Sequence, residues 1–154
     1  MISPVDDSRR GAWRSACPLN ISLEMLGDRW SLLILRDLML RGSDTYQKLL
    51  QCPEKIATNI LADRLNKLMA NGIISAHPDP ADRRRRIYRL TEKGIDLAPV
   101  MAELVLWAAR HEQTGNQQLV EQLRQDKEGM IAEVRRRWAM QMQELRNEGA
   151  DEGE

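Results

Sequence analysis

Residues 58–94 read TNILADRLNKLMANGIISAHPDPADRRRRIYRLTEKG, and this stretch decides the fold. Ile60, Leu61, Leu65, Leu68 and Met69 recur at helical spacing and stop at Asn71 and Gly72, which predicts a helix of about four turns with a glycine at its C-terminal cap. Opposite that stripe lie Asn59, Ala62, Asp63, Asn66, Lys67 and Ala70, a small and polar face. Residues 73–76 and 86–90 then read as two short strands, the second alternating Tyr88 and Leu90 with Ile87 and Arg89. The linker between them holds Pro78 and Pro80, so the unit is a hairpin with Arg83, Arg84, Arg85 and Arg86 on its tip and descending arm.

Upstream, Pro18 opens a short apolar helix over 18–26, because proline fits the first helical position. Asp28 can cap a second helix, apolar nearly all round and therefore central, that ends at Gly42. Tyr46, Leu49 and Leu50 give one or two further turns, closed by Cys52 and Pro53. Downstream, Thr91 can cap a helix bearing Leu97, Val100, Met101, Leu104, Val105 and Trp107. After a break at 114–116 a final amphipathic run carries Leu119, Leu123, Met130, Val134, Trp138 and Leu145, weakened by Gly129. This order predicts a mainly α (α+β) fold: a winged helix-turn-helix with a two-stranded wing and C-terminal dimerisation helices. The expected divisions are an N-terminal arm over 1–16, the DNA-binding domain over 17–111, a helical extension over 112–147 and an acidic disordered tail over 148–154.

The 23 basic and 23 acidic side chains cancel, which by itself argues against nucleic acid. The cancellation hides a division. Residues 1–93 carry 16 basic and 11 acidic groups, and residues 94–154 carry 7 and 12. On a protruding wing the four arginines suit the DNA backbone, whose charge density rewards cations that displace condensed counterions. Base readout falls to Thr58 and Asn59 at the start of the reading helix, with Arg64 and Lys67 as phosphate contacts. Arg64 borders the apolar stripe, so an internal salt bridge is its rival role. A dimer on an inverted-repeat operator follows because one helix reads too few base pairs and the apolar stripes after the wing exceed the needs of one small domain.

Several motifs also carry a resemblance. Cys17-Pro18, Leu26-Gly27-Asp28-Arg29-Trp30 leading into Leu33-Ile34-Leu35-Arg36-Asp37-Leu38, Leu61-Ala62-Asp63-Arg64-Leu65, Tyr88-Arg89-Leu90-Thr91-Glu92-Lys93-Gly94 and Leu97-Ala98-Pro99-Val100 together resemble the HxlR family of bacterial winged-helix transcription regulators over residues 17–110. The chain departs from that pattern at Ala57 and Gln47, where the family carries serines, and its wing is closer to that of MarR-type regulators. The resemblance implies a cytoplasmic homodimer, joined through the N-terminal and post-wing helices and acting as a repressor. It also implies, for some members, a redox- or electrophile-sensing cysteine at the position of Cys17, where a helix N-terminus favours a thiolate.

Other chemistry finds no support. Cys17 and Cys52 are too few for a disulfide framework or a zinc ribbon and suit a reducing cytoplasm. His77 and His111 have no ligand partners at metal spacing, so no metal or cofactor is expected. No nucleophile has a base partner, hence no catalytic residue and no enzyme. No apolar run reaches the roughly 18 residues of a membrane span, and no secretory signal opens the chain. Trp138 could cover the dimer interface or line a pocket for an effector, whose identity the sequence leaves open. Arg135, Arg136 and Arg137 read as a solvated helix face. A rival of another class is a winged-helix module that docks on protein without specific DNA binding, although such a wing has no need of four consecutive arginines.

Overall fold

The computed structural model describes residues 13–151. Seven helices and one hairpin follow in the order α1 (Pro18–Leu26), α2 (Ser31–Arg36, continued by a π-helical turn over Asp37–Arg41), α3 (Tyr46–Leu50), α4 (Thr58–Ala70), β1 (Ile74–Pro78), β2 (Arg86–Leu90), α5 (Glu92–Ile95), α6 (Ala98–His111) and α7 (Gln117–Asp151). β1 and β2 are antiparallel, with Ile74 opposite Leu90 and Pro78 opposite Arg86. This is the winged helix-turn-helix that the sequence predicts, with a long C-terminal helix added.

The core is aliphatic because the chain holds no phenylalanine. Leu35 of α2, Leu49 of α3, Leu61, Leu65 and Leu68 of α4, Ile73 and Ile95 are all but completely buried. Asp28 caps α2 as its position suggested: its carboxylate accepts from the amides of Trp30 (2.8 Å) and Ser31 (2.9 Å) and from the Ser31 hydroxyl. At the far end Gly42 has φ +62°, and Gly72 plays the same part after α4 with φ +68°.

Three expectations need correction. The helix after the wing is two pieces, because Pro99 lacks an N–H and restricts the residue before it, so the chain restarts at Ala98. The last helix breaks at Asp126 (φ −151°, ψ 73°) and not at Gly129; the Asp126 carboxylate accepts the Gly129 amide at 2.9 Å and so caps the second segment. The tail expected to be disordered from 148 is helical to Asp151, an extension of a turn in which the Gln143 amide donates to the Asn147 side chain at 3.1 Å. Residues 152–154 of that tail, and 1–12 of the N-terminal arm, lie outside the described residues.

α7 folds back on the winged body. Val134 enters the core, Ile131 and Trp138 pack against it, and the Trp138 indole N–H donates to the Leu90 carbonyl at 2.8 Å. Trp138 therefore ties the extension to β2. Gly94 is buried where α5 crosses the start of β1, and a Cβ there would overlap the Ile73 carbonyl oxygen. Gly94→Ala is expected to lower stability by about 2 kcal/mol through backbone displacement, read as a loss of midpoint in urea unfolding; an unchanged midpoint would remove this close approach from the account.

Candidate nucleic-acid interface

α3, the turn over 51–57 and α4 form the helix-turn-helix, and polar ties fix its angle. The Thr45 hydroxyl caps α3 by accepting the Lys48 amide (3.3 Å), and the Tyr46 hydroxyl donates to the Thr58 carbonyl (2.8 Å). The turn is held from behind by Arg36, whose guanidinium donates to both oxygens of Glu54 (2.6 and 2.9 Å) while its Nε reaches the buried Asp37 (2.9 Å). The paired guanidinium holds the Glu54 carboxyl down at about 2. Lys55, in the same turn, adopts a left-handed backbone (φ +58°) with its amide on the Cys52 carbonyl.

α4 exposes Thr58, Asn59, Ala62, Asp63 and Asn66, with Lys67 half-buried beside them. Its first turn has no side-chain cap because Ala57 occupies the cap position, which leaves the leading amides without a side-chain acceptor there. Arg64 sits elsewhere: its Nε lies 3.1 Å from Asp28 and its guanidinium also pairs with Asp63. Of the two roles the sequence offered, the internal ion pair is the one formed. Burial works against the Asp28 charge, but the hydrogen bonds from Ser31 and Trp30 and the Arg64 charge together hold its carboxyl below the usual range.

Two aspartates shape the wing. Asp79 accepts the Ala81 amide (2.9 Å) and Asp82 accepts the Arg84 amide (3.1 Å), while the backbone closes from Asp79 N–H to Arg85 carbonyl (2.9 Å) and from Arg85 N–H to Asp82 carbonyl (2.8 Å). Arg83, Arg84 and Arg85 occupy this turn and Arg86 opens β2, all four exposed. The Arg84 side chain is 91% exposed and, among the described residues, pairs with Asp82, a surface contact that leaves its charge available to a stronger anion. Arg89, next in the basic run, turns inward to Asp44 (2.9 Å) and is 13% exposed, so it belongs to the wing's base. Backbone pairing of Thr45 with Ile87, and of Tyr88 N–H with the Asp44 carbonyl (2.7 Å), fixes the wing to the start of α3. His77, on β1, lies 2.8 Å from the Ser75 hydroxyl, and burial and then the Arg89 charge push its imidazole below the usual range.

The structure thus places Asn59 on the exposed side of α4, with Thr58 and the half-buried Lys67 at its two edges, sets Arg83, Arg84 and Arg85 on the wing's turn with Arg86 at the start of β2, and pairs Arg64 with Asp28 and Asp63. Lys55 and Asn66 are additions; the signal for both was a polar or basic residue on the turn or on the face opposite the apolar stripe. Cys17 is exposed immediately before α1, whereas Cys52 is buried in the core. Among the described residues no group of three His, Cys, Asp or Glu side chains could hold a metal ion, and no helix is long and apolar enough to cross a membrane.

Comparison with known proteins agrees with this geometry. The family model described as HxlR-like helix-turn-helix matches residues 25–116. The HTH-type transcriptional regulator YodB of Bacillus subtilis is 34% identical over 93 residues, covering 60% of this chain and 82% of YodB, and the uncharacterized HTH-type regulator YvaP of the same organism is 31% identical over 93, covering 60% and 85%. Among solved structures, PA1607 superposes with a TM-score of 0.61 at 30% identity, covering 71% of this chain and 72% of that one. The reduced form of YodB gives 0.53 at 33%, covering 66% and 100%. With the matched region spanning the helix-turn-helix, the wing and α6, the chain belongs to the HxlR-like helix-turn-helix family of transcriptional regulators.

Proposed function

We propose that this regulator acts in the cytoplasm as a homodimeric repressor that reads an inverted-repeat operator, with α4 in the major groove and the wing arginines on the phosphate backbone. The observation that carries the reading is the exposed run of four arginines at the wing's tip, in a turn hydrogen-bonded by Asp79 and Asp82, together with a reading helix whose polar face is exposed and whose first turn has no side-chain cap. Thr58 and Asn59 take base edges, Lys67 takes phosphate, and two-fold symmetry sets the reading helices about one turn, roughly 34 Å, apart or multiples of it. Arg64 contributes by holding α4 to Asp28.

Dimerisation is supported by apolar stripes that this chain leaves open. Leu19 and Leu23 on α1 are 67% and 57% exposed, and Val100, Leu104 and Trp107 form a second stripe at helical spacing on α6. Gel-shift titration against salt, using the DNA upstream of the protein's own gene and a random duplex of equal length, tests the reading. The upstream duplex is expected to bind about 10³-fold tighter or more at physiological salt. Equal binding would replace operator recognition by the protein-docking alternative.

Cys17 is proposed as the redox-sensing residue. It is exposed at the start of the helix that carries Leu19 and Leu23, so its modification would act on the dimer contact. It precedes the segment matched by the family model, and a related regulator, YodB, has been solved in a state described as reduced. Diamide is expected to shift operator affinity of the wild type by about tenfold, on the order of the coupling energies typical between linked sites, and to leave Cys17→Ser unmoved. An equal response of both proteins would remove Cys17 from the mechanism.

A further inference from the structure

A cavity of about 370 Å³ lies between α2, α6 and α7, walled by residues that include Leu33, Met101, Val105, Leu123 and Met130. Its volume is that of a small-molecule site, and it is a cleft about half open to solvent, with Leu40 and Leu104 exposed on its wall. Two features hold it open. On α6 it is faced by Ala98, Ala102 and Ala108 where larger side chains would fill it, and the break at Asp126 bends α7 between Leu123 and Met130 so that both segments reach the wall. The second wall includes Met39 and Leu40 of the π-helical turn, an irregularity frequent at functional sites.

The lining has one charged residue, Arg36, and its guanidinium is fully engaged by Glu54 and Asp37. Among the described residues nothing in the wall is left to neutralise a charged ligand, and an apolar ligand seated in the cleft would take its apolar lining out of water. The α6 stripe offered for dimerisation is largely a different face, since Val100 and Trp107 do not line the cavity and Leu104 alone belongs to both. Part of the wall comes from α7, which begins at Gln117, beyond the residues 25–116 that the family model matches.

We propose that this cavity binds an uncharged, apolar small molecule of about two to three aromatic rings, and that its occupancy is relayed to the reading head through Arg36 and Glu54. Among the described residues Arg36 lines the cavity and also grips the turn ahead of α4, so a ligand that displaces the Arg36 stem against Met101 or Val105 moves Glu54 with it. The consequence for DNA release rests on the operator-binding reading; binding and relay do not, and can be measured without DNA.

The probe is N-phenyl-1-naphthylamine, a neutral fluorophore, titrated into the full chain at concentrations where it is assembled. Expected are saturable binding at one site per chain, a loss of affinity of at least tenfold in Ala108→Phe and in Met130→Trp, and changed amide hydrogen exchange over residues 51–61 on binding. Glu54→Gln is expected to keep the probe and lose the exchange change. Two filling variants on different helices are used, each checked by circular dichroism, so that misfolding of one leaves the other informative. Unsaturable binding, or binding indifferent to both filled cavities, overturns the site. Binding absent from the wild type but present in Leu19→Glu with Leu23→Glu shows a second copy filling the cavity and overturns it as well. Probe binding without an exchange change in the wild type overturns the relay.

Discussion

Replacing Arg84 and Arg85 together by alanine is expected to lower operator affinity by about 10³-fold near 0.15 M salt and to reduce the slope of log K against log salt by about 3.6, since a dimer loses four phosphate contacts at about 0.9 counterion each. The hypothesis rests on two side chains carried on a loop whose shape is set by the backbone and by Asp79 and Asp82, which the substitution leaves in place. Their own ion pairs are surface contacts of small worth. Thermal stability should accordingly hold while DNA affinity falls, and affinity should fall equally for operator and random duplex because phosphates carry no sequence. A salt slope equal to that of the wild type would detach the wing from the DNA.

Arg36→Met is expected to cost about 3 kcal/mol of folding free energy, because it strands a buried carboxylate. Asp37 is 2% exposed and would keep only Arg41, 3.4 Å away, while Glu54 would lose both of its hydrogen bonds. For a domain of this size that corresponds to roughly 10 °C in Tm. The acid limb adds an independent check. Glu54 titrates at about 2 when folded, below its ordinary value of 4.5, so its contribution is complete above pH 4.5 and is lost as pH falls toward 2. The wild type should therefore lose more stability than Arg36→Met across that window. Parallel losses would show that the pair stabilises nothing.

Much of the interface was legible in the sequence because its signals are local. The α4 stripe, the glycine cap at Gly72, the Pro-bounded hairpin and the arginine block each depend on residues within a few positions of one another, and each stands where its spacing put it except that the first strand runs on to Pro78, which pairs with Arg86 instead of lying in the linker. Asp28 as a cap belongs with them. The split at Pro99 was visible in the same way and was missed because a long apolar run outweighed one proline.

Other features depend on which segments meet. Arg64 and Arg89 look as basic and available as Arg84 on paper, yet Asp28 and Asp44, 36 and 45 positions away, pair with them. The need for glycine at 94 follows from a carbonyl 21 positions earlier. The hydrogen bond from the Trp138 indole to the Leu90 carbonyl, 48 positions earlier, is likewise invisible in the spacing of the chain.

By itself, then, the sequence determined the winged helix-turn-helix and the place of its arginines, because periodicity, caps and turn residues act over one or two turns of chain. Tertiary structure alone decided which cations face outward, where α7 bends and what space α2, α6 and α7 enclose. Charge pairing and packing volume are properties of distances between segments, and spacing along a chain does not encode those distances.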